Sequence, residues 1–386
     1  MNVINDEEIG EFISIRRDIH QHPELAFEEH RTAKLVAEKL KEFGYKVFEG
    51  IGGTGVVGVL KCGDSQISIG LRADMDALPI EEQSGASWSS KNNGVMHACG
   101  HDGHTAMLLA AAKDIALNKD FDGTVNLIFQ PAEEGGGGAL KMMEDGLFER
   151  FPCDSIFAIH NMPGYPVGHF VFREGAAMSS SDYVSIKIRG VGGHGGLPHK
   201  ACDPIVAASS IVMALQTIVS RNTDPQQAAV ITVGAFNSGH ANNVIPSHAN
   251  LELSVRALDS KVRAELERRI KGLVLAQAES FGLSTEIEWK KGYAVLVNSL
   301  AETEFARNVA AQLFGEKNIT RQGPALTGSE DFAFMLERVP GSYLFIGNGD
   351  TPGSCMVHNP AYDFNDGNIA VGALFWSELV KQFLKN

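Results

Sequence analysis

Apolar residues recur at intervals of three and four positions near the start of the chain, a spacing that predicts amphipathic helices. One apolar stripe runs from Ile9 to Ile19 and is interrupted by Pro23. A second predicted helix covers roughly residues 29–43 and stops at Gly44. The chain is therefore expected to open with two helices before any strand.

Short apolar runs then alternate with further helical patterns. Runs of this kind are typical of buried strands, and they lie at residues 55–60, 67–71, 124–129 and 155–159. Helical patterns at 104–117 and 138–147 separate the later runs. The alternation predicts an α/β domain that has a mixed or parallel sheet with helices on both faces.

The pattern changes near residue 180, because residues 182–190 alternate between apolar and polar as a half-exposed strand does. Asp203 and Pro204 are suited to cap and begin a helix. The elements predicted after it are strands near 228–236 and 249–257, a helix from Ser260, and a strand near 284–290. Their order, βαββαβ, is ferredoxin-like.

These changes divide the chain into two predicted domains. We expect residues 178–292 to form the ferredoxin-like domain, inserted into a discontinuous domain of residues 1–177 and 293–386. The C-terminal segment returns to the alternation of strands and helices seen in the first domain, with helices predicted near 300–314, 328–337 and 366–384.

Composition and charge argue against some classes of function, such as nucleic-acid binding and membrane insertion. The 47 acidic and 33 basic residues give a net charge of −14, which argues against nucleic acid or an anionic membrane as the main partner. We see no apolar run that approaches the ~20 residues of a membrane span, and the first residues lack a signal-peptide pattern. We therefore expect a cytoplasmic protein. Five cysteines, an odd and sparse number, do not suggest a disulfide framework.

The densest group of histidines, MHACGHDGH at residues 96–104, indicates a metal site. Cys99 and His101 are two positions apart, so in an extended chain their side chains point the same way. Both are good ligands for a borderline-soft divalent ion. The structural alternative is a polar loop that holds one buried thiol.

Two adjacent carboxylates, Glu133 and Glu134 in FQPAEE, follow a predicted buried strand. Residues at the carboxyl end of such a strand project into the crevice where ligands bind. Adjacent side chains diverge, so one carboxylate can bind a metal while the other moves a proton. The alternative is a solvated acidic turn before a helix.

Two isolated histidines extend the candidate set. His160 ends the predicted strand DSIFAIH, and His358 lies in VHNPAYDFND before the last helix. Either one alone is explained as well by a structural role. Five candidate ligands exceed the four of a tetrahedral structural zinc and suit two adjacent ions with open positions; they are Cys99, His101, Glu134, His160 and His358.

Six motifs, in order along the chain, resemble the aminoacylase/carboxypeptidase family of two-metal hydrolases. They are RADMDALP, MHACGHDGHTAM, FQPAEEGGGGA, GGHGGLPH, TGSEDFAF and HNPAYDFND. They are most similar to the amidohydrolase branch, which includes hippurate hydrolases, N-acyl-amino-acid deacetylases and plant auxin-conjugate hydrolases. The resemblance implies a metal-bearing α/β domain plus an inserted ferredoxin-like lid that commonly makes a dimer. We accordingly expect a homodimer or a dimer-based tetramer.

The resemblance also implies a role for individual residues. The five candidate ligands match the metal ligands of the branch, and Glu133 matches its general base. His194 in GGHGG matches a lid histidine that assists at the scissile carbonyl, often from the partner subunit. Asn243 and Arg256 match lid residues that hold the carboxylate of the substrate.

One motif departs from the other branches of the family, which have a His-x-Asp pair where this chain has Arg72 and Asp74 in RADMD. The histidine ligand is absent, and Cys99 with His101 takes its place. Asp74 is expected to orient a ligand histidine. We expect two divalent ions per chain, zinc or manganese first and cobalt or nickel as alternatives, because a thiolate selects thiophilic ions by affinity while supply in the cell also decides.

The activity implied is hydrolysis of the amide of an N-acyl amino acid to a carboxylic acid and a free amino acid. A dipeptidase or carboxypeptidase of the same family is an alternative, and it would differ in accepting a free amino group on the acyl side. A catalytically silent metal-binding protein would require a missing base or ligand. A thiol enzyme built on Cys99 would lack the usual Cys-x-x-Cys pair.

Overall fold

The structure is a computed structural model that describes residues 6–351 and 354–385. It divides the chain into two compact units. Unit 1 contains the residues up to Gly175, Val297–Pro324 and the residues from Asp331 onward, and unit 2 contains Ala176–Leu296 and Ala325–Glu330. The segment Ala325–Glu330 groups with unit 2 although no sequence pattern separates it from its neighbours.

The α-helices of the described residues, in chain order, are α1 (Asp6–Gln21), α2 (His30–Glu42), α3 (His101–Asn118), α4 (Gly138–Glu144), α5 (Leu147–Arg150), α6 (Pro204–Thr217), α7 (Ser260–Ser280), α8 (Leu300–Phe314), α9 (Phe332–Leu336) and α10 (Gly367–Phe383). All the helices that the periodicity predicts are present, but the one predicted near 328–337 is only the five residues of α9. The segment predicted as one helix over 138–147 is divided into α4 and α5, because Gly146 adopts a left-handed φ of 82° between them.

The strands are β1 (Lys46–Ile51), β2 (Gly55–Cys62), β3 (Ser68–Asp74), β4 (Gly123–Gln130), β5 (Ser155–Met162), β6 (Phe170–Val171), β7 (Gly175–Met178), β8 (Ser180–Arg189), β9 (Gly193–His194), β10 (Ala229–Asn237), β11 (Val244–Ile245), β12 (His248–Ala257), β13 (Ser284–Lys291), β14 (Leu296–Asn298), β15 (Ile319–Thr320) and β16 (Gly341–Gly347). Each strand predicted from an apolar or alternating run is present.

Unit 1 is built on an eight-stranded sheet in the order β1-β2-β4-β3-β5-β16-β6-β15. Its centre, β4-β3-β5-β16, is parallel, and β1, β2 and β6 make antiparallel pairs toward the edges. The mixed sheet that the sequence predicted is therefore confirmed. Because the four central strands are parallel, their carboxyl ends lie along the same edge of the sheet.

The central strand β16 has no counterpart among the predicted elements. All seven of its residues are buried, yet the sequence GSYLFIG begins and ends with glycine and is too short to separate from a buried helical segment by periodicity. It pairs with β5 in parallel register from Gly341 opposite Ile156 to Gly347 opposite Met162.

The core of unit 1 lies between this sheet and its helices. Phe12 of α1, Met107 of α3 and Trp376 of α10 are buried against strand residues such as Leu127. Helix α3 is apolar on nearly all sides, and a helix of that kind belongs in an interior. Its amino-terminal end consequently begins inside the protein, close to the strand ends.

Unit 2 has a four-stranded antiparallel sheet in the order β10-β12-β8-β13. Strand order and connections correspond to the predicted ferredoxin-like arrangement, with α6 and α7 packed on the sheet through residues such as Ile211 and Ile270. Asp203 caps α6 by accepting the N–H of Ile205 at 2.8 Å. A separate ribbon, β9 paired with β11, continues from the end of the sheet.

One helical segment of the described residues, Pro204–Asn222, is long and apolar enough to cross a membrane by length and composition alone. The sequence had indicated no apolar run that approaches the length of a membrane span. Its buried face contributes Ala208 and Leu215 to the core of unit 2. A core helix passes the same test, so the finding is weak evidence for a span.

Candidate metal centre

The parallel strands of unit 1 carry candidate residues at their carboxyl ends. Asp74 is the last residue of β3, and His160 lies near the end of β5. Glu133 and Glu134 follow β4, which ends at Gln130. The topology therefore gathers residues that are far apart in sequence at one edge of the sheet.

The sequence predicted that an extended chain would direct Cys99 and His101 the same way. In the structure a tight turn brings them together instead. Gly100 has a left-handed φ of 89°, and α3 begins at His101. A Cβ on Gly100 would lie 2.4 Å from the amide nitrogen of Asn161 and 2.6 Å from the hydroxyl of Tyr362. Only glycine fits here, so the turn is fixed by packing as well as by φ.

Cys99 and His160 face each other in the buried centre, with 3.3 Å between Sγ and Nε2. His160 donates from Nδ1 to the carbonyl of Asn161 at 2.7 Å, which leaves the lone pair of Nε2 directed toward the thiol. Burial holds the pKa of His160 well below its usual range. Burial and then the charge of Glu134 raise the pKa of the Cys99 thiol. His160 is thus neutral and ready to act as a ligand.

His101 directs one ring nitrogen to a carboxylate and leaves the other without a partner. Its Nδ1 lies 3.2 Å from Oδ1 of Asp76. Its Nε2 is buried and has no hydrogen-bond partner. Burial opposes protonation, but the charges of Asp74 and Asp76 raise the pKa of His101 to about 10. A divalent cation at Nε2 would satisfy the same negative surroundings without a proton.

The turn after β4 separates the two adjacent glutamates. Glu134 donates its backbone N–H to Oδ2 of Asp76 at 2.8 Å, and its Oε1 lies 3.1 Å from Nε2 of His358. Glu133 is buried, with a carboxylate oxygen within reach of both His101 and Glu134. Both carboxylates therefore lie near His101, and Glu134 in addition contacts His358.

His358 reaches this cluster from the loop between β16 and α10. Its φ is 67°, a left-handed value that is uncommon for a residue with a Cβ, and its N–H donates to the carbonyl of Ala98 at 2.7 Å. That bond ties the loop to the segment that carries Cys99. About half of the His358 side chain is exposed, so it lies at the solvent side of the cluster.

The five candidate ligands lie together. Within each of three overlapping groups, the ligand atoms are all within 4.8 Å of one another. The groups are Cys99–His101–His160, Cys99–Glu134–His358 and His101–Glu133–Glu134. Cys99, His101 and Glu134 each belong to two groups.

Asp74, expected to orient a ligand histidine, forms its hydrogen bond with His104, which is not one of the five candidate ligands. Its Oδ1 lies 2.6 Å from Nδ1 of His104, whereas His101 Nε2 is 3.7 Å from its Oδ2. Arg72 donates to Oδ2 at 2.6 Å. Burial opposes ionisation, but the charges of His101 and Arg72 hold the pKa of Asp74 well below its usual range. Asp76 is the carboxylate that contacts Nδ1 of His101.

Arg72 occupies the position where the other branches of the family have a histidine. It is buried, and its guanidinium donates to several hydrogen-bond acceptors. It donates to the carbonyl oxygen of the Gln130 side chain at 2.8 Å and to Asp331 at 3.2 Å, in addition to Asp74. Asp331 also accepts the N–H of Ala139 at 2.9 Å. The guanidinium therefore joins the ends of β3 and β4 to the first turn of α4.

Sequence reasoning did not identify Asp76, His104, Asn161 and Tyr362. Asn161 donates to the carbonyl of Cys99 at 2.6 Å, and it accepts a hydrogen bond from the hydroxyl of Tyr362. The only signal was position in the sequence: Asp76 is in RADMD, His104 in MHACGHDGH and Tyr362 in HNPAYD, and Asn161 follows His160. That signal does not specify which atoms meet.

Two of the expected substrate residues lie on the ribbon of unit 2. His194 is in β9 opposite Val244 of β11, and Gly195 donates to the carbonyl of Asn243 at 2.8 Å. Both side chains are exposed. Gly196 donates its N–H to Nδ1 of His194 at 3.0 Å, so a neutral ring carries its proton on Nε2.

Arg256 lies at the other end of the same sheet. It pairs with Ser181 at the start of β8, whereas the ribbon continues from the end where His248 pairs with Arg189. Residues 248 to 256 of extended strand, at roughly 3.3 Å each, span about 26 Å. Arg256 donates to the carbonyl of Thr327 at 3.0 Å. Unit 2 therefore holds His194 with Asn243, and separates both from Arg256.

Comparison with known proteins identifies the family of this chain. Residues 70–382 match the peptidase family M20/M25/M40. The chain belongs to this family. The family resemblance drawn from the motifs is thereby confirmed.

Individual relatives cover nearly the whole chain. The hippurate hydrolase of Campylobacter jejuni is 50% identical over 376 residues, which is 97% of each protein. The N-acetyl-L-cysteine deacetylase of Bacillus subtilis is 40% identical over 375 residues, covering 97% of this chain and 88% of the relative. The solved structure of a dinuclear metal binding peptidase of the M20 family from Bacillus subtilis has a TM-score of 0.86 and 32% identity, and covers 99% of both chains.

The cluster of this M20/M25/M40 member has the chemistry of a divalent metal centre. His101 Nε2 is a buried atom without a hydrogen-bond partner, and buried polar atoms are normally satisfied. A thiol, imidazoles and a carboxylate are ligands that zinc and its neighbours bind. The residues present therefore fit a metal centre, and Glu133 beside it fits a proton acceptor.

Proposed function

We propose that this chain is a metal-dependent amidohydrolase. It would cleave the amide of N-acyl amino acids, of the hippurate or N-acetyl-amino-acid type, to a carboxylic acid and a free amino acid. The observation that carries the proposal is the convergence of five ligand-type side chains with the buried Glu133 in unit 1. The similarity to a hippurate hydrolase and an N-acyl deacetylase supports this substrate class.

Two divalent ions per chain would be held by the side chains of Cys99, His101, Glu134, His160 and His358. Zinc or manganese are the proposed ions, with cobalt or nickel as alternatives. The thiolate favours zinc by affinity, whereas geometry and supply in the cell also decide which ion is used. When bound, the ions would polarise the scissile carbonyl and lower the pKa of the attacking water. The dinuclear metal binding peptidase from Bacillus subtilis supports the count of two.

Glu133 is proposed as the general base. It would accept a proton from the attacking water and then return it to the departing amine nitrogen. Its burial supports this role, since a carboxylate shielded from bulk water keeps the proton it accepts from exchanging with solvent before the proton reaches the amine. Glu134 faces His358 instead and is proposed as a ligand.

Two residues of unit 2 are proposed to act on the reacting amide and its acid. His194 would donate its Nε2–H to the oxygen of the scissile carbonyl as negative charge develops there, and the bond from Gly196 supports that tautomer. Arg256, with its planar fork of donors, would bind the free α-carboxylate. Asn243, beside His194, would add an amide contact to the same substrate.

The separation within unit 2 favours a composite site. Because about 26 Å of strand lies between the ribbon end of the sheet and Arg256, we infer that His194 and Arg256 of one copy of unit 2 act on different substrate molecules. We therefore propose that Arg256 serves its own chain, and that His194 and Asn243 serve the partner subunit of a homodimer.

The surface of unit 2 supports a dimer. Strand β10 is at the edge of the sheet, and its nine residues, AVITVGAFN, include no charge. The opposite edge, β13, carries Glu286, Glu288 and Lys290. Charged edges resist pairing, and an uncharged edge invites it. On α6, Val206 is 52% and Met213 is 73% exposed, so apolar surface is available as well.

Assembly as a dimer of dimers and a cytoplasmic location stay predictions.

A substrate panel tests the proposal. Purified protein would be assayed with hippurate, N-acetyl amino acids, N-acetyl-diaminopimelate and a plain dipeptide. Faster cleavage of the N-acyl compounds would support an amidohydrolase. Preference for the dipeptide, with its free amino group, would establish the dipeptidase alternative. No cleavage by metal-loaded protein would favour a silent metal-binding protein.

A further inference from the structure

Glu29 is a buried carboxylate outside the metal cluster. Its side chain has no exposed surface. Oε1 accepts the N–H of Phe27 at 3.0 Å and the N–H of Ala132 at 2.9 Å, and Oε2 accepts the hydroxyl of Thr54. Burial raises the pKa of Glu29, and the bond from Thr54 opposes that shift. A buried acid is tolerated only where such bonds satisfy it.

The two backbone partners of Oε1 share an uncommon conformation. Phe27 has a φ of 64° and Ala132 a φ of 53°. This left-handed region is disfavoured for residues with a Cβ and persists only when the surroundings enforce it. One carboxylate oxygen therefore holds two strained residues that lie in different loops, 105 positions apart in sequence.

Ala132 immediately precedes the two glutamates, so its φ sets the direction in which they leave β4. The carbonyl of Ala132 accepts the N–H of Gly138 at 3.0 Å, and the carbonyl of Glu133 accepts the N–H of Gly135 at 2.7 Å. A Cβ on Gly136 would lie 2.7 Å from the Cβ of Ala132. The turn closes tightly around Ala132, and Glu29 is the side chain bonded to its N–H.

We propose that Glu29 is a positioning residue for Glu133 and Glu134, holding the Ala132 turn in its left-handed conformation. The proposal rests on the proposed function, in which Glu133 is the base and Glu134 is a ligand. Without the carboxylate, Ala132 can relax to a negative φ, and the following side chains would shift. A misplacement of about 1 Å can lower a rate roughly 100-fold.

Glu24 offers a matched control near the same helix. It accepts the N–H groups of Arg31 and Thr32 at 2.8 and 2.9 Å and the hydroxyl of Thr32 at 2.9 Å. It thus satisfies as many donors as Glu29 does, but its side-chain bonds go to α2 and not to the Ala132 turn. Loss of Glu24 should cost stability without moving the glutamates.

The experiment compares Glu29→Ala, Glu29→Gln, Glu29→Asp and Glu24→Ala in the metal-loaded full chain. The measurements are kcat and KM for hippurate, metal affinity by competition with a chelator, and Tm. We expect Glu29→Ala to lower kcat about 100-fold and to weaken metal binding, while KM changes little. Glu29→Gln should retain most of kcat, because its amide oxygen can still accept both N–H groups. Glu24→Ala should lower Tm and retain kcat.

Wild-type kcat and metal affinity in folded Glu29→Ala, or an equal loss of kcat in Glu24→Ala, would overturn the proposal. If Glu29→Ala does not fold, Glu29→Asp is the deciding variant, since its shorter side chain keeps the charge but does not reach Thr54 and Ala132 together. Full activity of Glu29→Asp would then overturn the proposal. Glu133→Gln is measured in parallel. An active Glu133→Gln would show that the proposed function has failed, whereas an inactive Glu133→Gln beside a fully active Glu29→Ala would reject only the role of Glu29.

Discussion

His104 and Asp74 form a hydrogen bond of 2.6 Å between Nδ1 and Oδ1 in the interior of unit 1. The other ring nitrogen of His104 lies 3.0 Å from the backbone N–H of Asn161 and accepts its proton. These two bonds place a proton of His104 on Nδ1 and occupy the lone pair of Nε2, so that lone pair is not free for a metal. His104 therefore supports the centre from behind, although it lies in the same motif as Cys99 and His101.

The two adjacent glutamates should separate by function. Glu134→Ala should lose bound metal and activity together, because the substitution removes a ligand. Glu133→Gln should keep its metal and lose activity by at least ~100-fold, the lower range for a general base, because an amide does not accept the proton. Elemental analysis and hippurate turnover on the same samples check both variants. Equal metal loss in the two variants would show that the roles of the pair are wrongly assigned.

His194 should act on the partner's site. Mixing inactive His194→Ala with inactive Glu133→Gln and allowing subunits to exchange should restore partial activity, because each mixed dimer contains one site with both intact residues. Activity of the mixture is compared with that of each variant alone, after exchange is verified by mass spectrometry. Absence of recovery would mean that His194 serves its own chain or takes no part in catalysis.

Arg256 should act mainly on substrate affinity. Arg256→Ala should raise KM about 10- to 100-fold, since a hydrogen bond to a charged group is worth ~1.5–3 kcal/mol. Arg189 is the matched control, because it lies on the same sheet with its guanidinium bonded to the exposed Glu286. Arg189→Ala should leave KM unchanged. A lower kcat with an unchanged KM in Arg256→Ala would contradict a carboxylate-binding role.

The stability of the protein should fall at alkaline pH because of His20. Burial opposes its protonation, but Asp102 and Glu82 raise the pKa of His20 to about 9. Since this pKa exceeds the ~6.5 of an unfolded histidine, the stabilisation is complete below about pH 6.5 and is lost as pH rises toward 9. The loss is on the order of 3 kcal/mol. Tm from pH 6 to 10 should fall more steeply in wild type than in His20→Gln, and parallel curves would exclude this role for His20.

Much of the fold follows from local patterns, and the exceptions have a common cause. Helices such as α2 and strands such as β8 carry their periodicity within a dozen residues. Strand β16 was missed because its short apolar run lies between two glycines and does not differ by periodicity from a buried helical segment. The start of α3 at His101 depends on Gly100, whose φ is fixed by Asn161 and Tyr362 from distant parts of the chain.

The candidate site shows the same division between local and distant information. The residue types and their spacing in C-x-H and in the paired glutamates indicate metal chemistry. The partner of each side chain is decided by folding: His101 contacts Asp76, His104 contacts Asp74, and Arg72 reaches Asp331. These contacts join positions that are 25, 30 and 259 residues apart, and short motifs do not encode them.

Metal titration of stripped protein tests the central claim most directly. The chain would be freed of metal with a chelator, and zinc or manganese would be returned in steps while bound metal and hippurate hydrolysis are measured together. We predict a folded but inactive stripped protein, because a chain of this size buries a core without a metal, and full activity once two ions per chain are bound. Undiminished hydrolysis by the stripped protein, or full activity with one bound ion, would contradict the account.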